Sequence, residues 1–202
     1  MLQKIVLASN NPGKLREFAA LFAPLGIEVL PQSLFNIPET AEPHPTFIEN
    51  ALVKARHAAR LSGLPALADD SGLCVNALDG APGVQSARYD KLFSGEPKSD
   101  ARNNARLLVA LRDVTDRRAH YYCVLVLLRH ADDPQPLIAE GEWQGEILDA
   151  PRGGGGFGYD PLFLVPEMGQ TGAEIPASLK NTLSHRAIAF RRLFDRLYGE
   201  AA

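Results

Sequence analysis

The sequence predicts an α/β fold, and three observations carry it. Short apolar runs alternate with amphipathic, capped helical stretches through the N-terminal third. The run Thr46-Phe47-Ile48-Glu49 is a capping box that opens a long helix, to about Leu61, leading directly into an apolar run. Tyr121 to Leu128 and Leu137 to Ile147 then read as two long strands paired in an antiparallel meander.

Taken in order, Lys4 to Ala8 is a strand that gives way to Ser9-Asn10-Asn11-Pro12-Gly13-Lys14. Leu15, Phe18, Ala19, Leu21 and Phe22 recur at helical spacing, with Asn11 suited to the N-cap and Pro12 to the first turn. A lysine beside free backbone N–H groups at a helix start makes an anion site. The alternative is a capped helix with an exposed lysine. The run departs from the Walker pattern, with Ala8 in place of the first glycine and Leu15 in place of Ser or Thr. Ile27 to Leu30 reads as a second strand, and Pro31 to Pro45 as a loop carrying Glu39, Glu42 and His44. The helix after Thr46 buries Phe47, Ile48, Ala51, Leu52, Ala55, Ala58 and Ala59. Asn50 and Lys54 share one face, as a solvated stripe or as ligand contacts.

Leu64 to Ala68 reads as a strand that stops at Asp69-Asp70-Ser71-Gly72. Strand ends in α/β proteins point into the crevice where ligands bind, and adjacent like charges call for a cation or donors. A plain surface turn suits the same four residues. Leu73 to Leu78 resumes as a strand, ending in the turn cluster Asp79 to Gly83, with Ser86 to Tyr89 in loop context. Ala101 to Val114, behind Ser99 and Asp100, has helical periodicity. Gly141 and Gly145 break the strand that holds Trp143. Four consecutive glycines, Gly153 to Gly156, precede Phe157-Gly158-Tyr159-Asp160. Such a loop suits close approach to a ligand, with Phe157 and Tyr159 offering ring faces to a nucleobase. It also suits a long hairpin turn whose aromatics fold into the core. Leu162 to Val165 is a further strand, and Gly169 to Asn181 a polar passage holding Lys180. Ser184-His185-Arg186 opens the last helix, which faces Ile188, Leu193, Phe194 and Leu197 inward. Two cations in a first turn oppose the helix dipole, an arrangement that makes sense if a ligand brings negative charge.

At 202 residues, with 46% hydrophobic and 22% charged residues, the chain reads as one soluble globular domain over 1–202. A net charge of −3 argues against long nucleic acid as a partner. Cys74 and Cys123 sit in apolar runs without Cys-x-x-Cys spacing and read as reduced core residues. No run is long enough for a membrane span, and no signal peptide is apparent, so a cytoplasmic protein is expected.

Together these parts describe a site for a nucleoside triphosphate. Asp69 and Asp70 suit Mg²⁺, which needs only one or two carboxylates beside phosphate oxygens and water. Lys14, Lys54, Lys180, His185 and Arg186 supply positive charge, and the glycine-aromatic loop a place for a base. No nucleophile triad is apparent, which favours attack by an activated water. Ser9 to Lys14, Thr46 to Arg56, Ala68 to Leu73, Gly80 to Tyr89, Gly155 to Pro161 and Ser184 to Arg186 occur in that order. Together they closely resemble the inosine/xanthosine triphosphate pyrophosphatase family.

The resemblance implies an elongated mixed central sheet with flanking helices, two lobes around a nucleotide cleft, and a homodimer. It implies Mg²⁺-dependent cleavage of ITP, dITP and XTP to the monophosphate and pyrophosphate. Carried over by position, Ser9, Asn10, Asn11, Pro12, Gly13 and Lys14 grip the triphosphate. Asp70 accepts a proton and holds the metal, with Asp69 in support. Independently of the resemblance, Lys14 and Lys54 are expected to offset charge on the phosphates. Ser71 contacts the substrate. Phe157, Gly158, Tyr159, Asp160, Lys180, His185 and Arg186 hold base and sugar. The segment Thr40 to Pro45 departs from the family's Glu-Glu-Thr-Gly and leaves Glu42 as its acid for the metal.

Overall fold

The computed structural model describes residues 2–199. In chain order the elements are β1 (Lys4–Leu7), α1 (Pro12–Phe22), β2 (Glu28–Pro31), α2 (Phe47–Ser62) and β3 (Ala66–Val75). They continue as α3 (Lys91–Ser94), α4 (Asp100–Ala110), β4 (Arg118–Leu128), β5 (Leu137–Ile147), β6 (Phe163–Val165), β7 (Gln170–Thr171), α5 (Ala177–Leu183) and α6 (His185–Tyr198). The strands form one seven-stranded sheet in the order β2-β1-β3-β4-β5-β6-β7. It is mixed: β1 runs parallel to β2 and β3, whereas β6 is antiparallel to β5 and β7.

The local signals at the first two helices act as expected. Asn11 Oδ1 accepts from Gly13 N at 2.8 Å and Lys14 N at 3.3 Å, with Pro12 at the first helical position. At α2, Thr46 Oγ1 accepts from Glu49 N at 3.4 Å and donates to the Glu49 carboxylate at 2.5 Å. Gly63, left-handed at φ +69°, closes that helix onto Ala59 O. Its buried stripe is Asn50, Ala51, Ala55, Ala58 and Ala59, while Ile48, expected inside, is exposed.

Four sequence expectations are corrected. β3 does not stop at the acidic doublet: Asp69 and Asp70 lie in the middle of one ten-residue strand, because cations neutralise them there. Gly141 and Gly145 do not break β5, which alternates buried and exposed along eleven residues. A Cβ on Gly145 would lie 2.5 Å from Leu164 O and 2.5 Å from the Phe163 ring, so glycine admits the neighbouring strand. The helix from Ser99 ends at Ala110 instead of Val114. The polar passage holding Lys180 contains β7 and α5, each too short to show a period.

The chain forms two compact units. The first comprises the segments through Asp70, Cys123–Gly141 and from Arg186 on. Its core joins Ile5, Leu7, Phe18, Phe22 and Leu67 to Leu125, Leu127, Phe190 and Leu193. The second comprises Ser71–Tyr122 and Glu142–His185, around Leu73, Leu107, Leu111, Tyr121, Trp143, Tyr159 and Phe163. Among the described residues, no helix is long and apolar enough to cross a membrane.

Candidate active site

In the first unit the acidic doublet sits in a cage of cations. Successive strand residues point to opposite faces, so Asp69 and Asp70 face different partners. Asp69 is fully buried: its Oδ1 accepts from Lys14 Nζ at 2.5 Å and its Oδ2 from Arg186 Nε at 2.6 Å. Arg186 also donates to Glu17, and the Cys123 thiol lies 3.5 Å from Asp69 Oδ2. Burial alone would raise the Asp69 carboxyl, yet Arg186 and Lys14 hold it well below the usual carboxylate range. Arg186 in turn is held charged by Asp69 and Glu17 against its own burial.

Asp70 is different. Its Oδ1 accepts from Lys54 Nζ at 2.6 Å, while its Oδ2 is buried and meets no donor. Burial pushes its carboxyl up, against the opposing pull of Lys54 and Lys14. Lys54 uses all three of its donors: besides Asp70 they go to Glu42 Oε1 at 2.7 Å and the Asp69 carbonyl at 2.9 Å. Its ammonium is disfavoured by burial but held charged by Asp70 and Glu42. Asn50, one helical turn before Lys54, accepts from His44 N and donates to His44 O, both at 3.0 Å. That clamp holds the loop presenting Glu42, although the loop lacks the family's glycine.

The N-terminal loop is compact around these groups. Ser9 Oγ accepts from Asn11 N at 3.1 Å, and Asn10 reaches Glu39 at 3.4 Å. A divalent cation fits this residue set: a buried carboxylate oxygen with no donor is a vacant ligand, and Glu42 is a second hard oxygen donor. Among the described residues, no group of three or more His, Cys, Asp or Glu is disposed to hold a metal. Mg²⁺, which takes few protein ligands, suits such a site better than an ion needing a closed cage.

The second unit holds a cluster centred on Asp160. Its Oδ2 accepts from Lys180 Nζ at 2.5 Å and Phe157 N at 2.8 Å, and Oδ1 lies 3.4 Å from the Tyr121 hydroxyl. Tyr121 stacks on His185, centroids 4.8 Å apart and planes 13° from parallel. Gly156, at φ +71°, is needed here, because a Cβ would lie 2.1 Å from Asp160 Oδ2. Gly156→Ala is expected to cost about 1–3 kcal/mol from backbone strain alone, measured by urea denaturation.

This placement revises the expected roles. Arg186 sits on protein carboxylates, so its opposition to the helix dipole is offset by Asp69 and Glu17 instead of a ligand. Tyr159 offers no free ring face: it is buried in the core, and its hydroxyl donates to Ser86 O at 2.8 Å. Phe157 keeps a partly exposed ring, with Lys180 Nζ 5.3 Å from its centroid. Asp160 and Lys180 are buried against one another, so they shape this loop. Ser71 is half-buried, one residue beyond Asp70. Two residues, Glu17 and Tyr121, escape sequence reasoning, whereas Asn50 is singled out there with Lys54 but without its clamp on His44. Glu17 shares a helix face with Lys14, so spacing hinted at it. Tyr121 sits in a featureless apolar run and gave no signal.

Comparison with known proteins converges on one family. The model of the Ham1 family matches residues 5–196. The chain is 69% identical to the dITP/XTP pyrophosphatase of Aromatoleum aromaticum, covering 98% of each chain. It is 66% identical to that of Ralstonia nicotianae, covering 97% of each. A solved HAM1 protein from Coxiella burnetii superposes with a TM-score of 0.88 at 48% identity, over 98% of both chains. The Mycobacterium abscessus structure of a nucleoside-triphosphatase, dITP/XTP pyrophosphatase, gives 0.72 at 38% identity, over 96% of this chain and 99% of that one. On this likeness, which runs through both units, the chain belongs to the Ham1 family.

Proposed function

We propose that this protein is a pyrophosphatase that hydrolyses the non-canonical purine triphosphates ITP, dITP and XTP. The products are the nucleoside monophosphate and pyrophosphate, and the role is to clear deaminated purines from the nucleotide pool. The names of the Aromatoleum and Ralstonia relatives support the substrate class. The observation that carries the chemistry is Asp70, with one buried carboxylate oxygen unused beside Lys54 and Glu42.

In this reading Asp70 takes the proton of the attacking water, its burial-raised carboxyl making it a better acceptor than a solvated one. Lys14 and Lys54 offset the charge that builds on the α-phosphate and the departing pyrophosphate. Ser9, Asn10, Asn11, Pro12, Gly13 and Lys14 grip the triphosphate tail at the positive end of α1, where Asn11 caps the Gly13 and Lys14 N–H groups. Asp70 and Glu42 hold Mg²⁺, which supplies Lewis-acid polarisation of the phosphate oxygens. Ser71 contacts the substrate. Phe157, Gly158, Tyr159, Asp160, Lys180, His185 and Arg186 serve base and sugar, Phe157 directly and Tyr159, Asp160, Lys180 and Arg186 through the positions they fix. With Arg186 committed to carboxylates, a 6-oxo group is read by backbone N–H groups. The remaining parts of the reading are one functional domain over 1–202, a homodimer and a cytoplasmic location.

Pyrophosphate release with Mg²⁺ tests this reading. ITP, dITP and XTP are expected to react roughly ten- to a hundredfold faster than ATP, the discrimination one unpaired donor provides. GTP and CTP complete the panel. Equal rates across it, or no release from ITP, would overturn the assignment.

A further inference from the structure

We infer that helix α4 positions the loop that takes the base, through a two-point grip on a single residue, Gly158. The inference rests on the reading above that Phe157 to Asp160 serve the base. Asp100 and Asn104 lie one turn apart on α4 and both reach Gly158. Asp100 Oδ2 accepts from Gly158 N at 2.7 Å, and Asn104 Nδ2 donates to Gly158 O at 3.0 Å. Gly158 has φ +63°, and both polar groups of this residue are therefore held by side chains of one rigid helix.

The neighbouring residue extends the grip. Asn103 Oδ1 accepts from Asp90 N at 2.9 Å, and its Nδ2 donates to Ala87 O at 3.2 Å. The Tyr159 hydroxyl, one residue past Gly158, ties back to Ser86 of that same loop at 2.8 Å. Consecutive asparagines thus hold two loops that are also bonded to each other. Leu107, one turn on and fully buried, anchors the helix in the core of the second unit. Phe157 takes its orientation from Asp160 through its own N–H and from α4 through the next residue. Asp100, Asn103 and Asn104 are positioning residues: they touch the loop, and the loop touches the base.

The test uses Asp100→Ala, Asn104→Asp and the conservative Asp100→Asn, which keeps an acceptor for Gly158 N. Losing one hydrogen bond is worth roughly three- to tenfold, and it is expected in KM for ITP with kcat nearly unchanged. Inhibition by inorganic tripolyphosphate, which has no base, should stay at the wild-type constant, and Asp100→Asn should recover most of the wild-type KM. Amide hydrogen exchange at Phe157 to Tyr159, measured without nucleotide, should quicken in Asp100→Ala and Asn104→Asp. Asn104→Ala, at a half-exposed site, replaces Asn104→Asp if the latter does not fold. Unchanged KM, a matching loss of tripolyphosphate inhibition, or unaltered exchange would each overturn the inference. Wild-type protein that leaves ITP intact, with exchange still quickened in the variants, would place the failure in the assigned function and not in the α4 grip.

Discussion

Asp70→Asn is expected to lower turnover of ITP by roughly 10²–10⁴-fold, the span of a lost general base. The same substitution should leave the protein as stable as the parent at neutral pH, or more so. Burial raises the folded-state carboxyl of Asp70 above its ordinary value of 3.8. A group shifted upward contributes stability below its unfolded pKa, and that contribution disappears as pH rises through the folded value. At neutral pH the ionised side chain is therefore held at the expense of the fold, and asparagine removes the charge. Steady-state turnover with Mg²⁺, beside urea denaturation of both proteins, checks the two halves. Retained activity would remove Asp70 from the mechanism, and a large loss of stability would show its role to be structural.

Asp69→Asn, one residue earlier, should behave in the opposite way. It leaves Arg186 and Lys14 facing a neutral side chain in a site where Asp69 and Arg186 are almost wholly buried. Breaking a buried pair in this way costs about 3–5 kcal/mol. The pH dependence runs opposite to that of Asp70. The Asp69 carboxyl is held well below 3.8, so its stabilisation is complete above that value and fades as pH falls through the lowered one. Denaturation curves of parent and variant should lie far apart at pH 7 and converge in strong acid. A variant as stable as the parent at pH 7 would show that the ion-pair cage contributes little.

Signals confined to one turn of chain were the ones legible before the structure. Asn11 with Pro12, and Thr46 with Glu49, satisfy backbone groups within three residues, so the starts of α1 and α2 could be read directly. Lys54 could be assigned to the acidic doublet because α2 leads straight into β3. What could not be read depends on partners distant in sequence. The doublet looked like a strand end because its neutralising cations, Lys14, Lys54 and Arg186, come from three other elements. Arg186 looked like a ligand contact for the same reason, since Glu17 and Asp69 lie far from it along the chain. The glycine run looked like a ligand cradle, whereas at Gly156 the close neighbour is the Asp160 carboxylate. The loop grip by Asn103 and Asn104 leaves no trace in periodicity, because asparagine on a helix face also suits solvent.

The pairing of Asp69 with Arg186 spans 117 positions, and this sets a timetable for biosynthesis. As the chain leaves the ribosome, Lys14 and Lys54 emerge before the doublet, but the guanidinium arrives only with α6. A nascent chain stalled short of that point has Lys14 to pair with Asp69 but lacks Arg186. The cation cage around the acidic doublet is therefore completed only once Arg186 has been made.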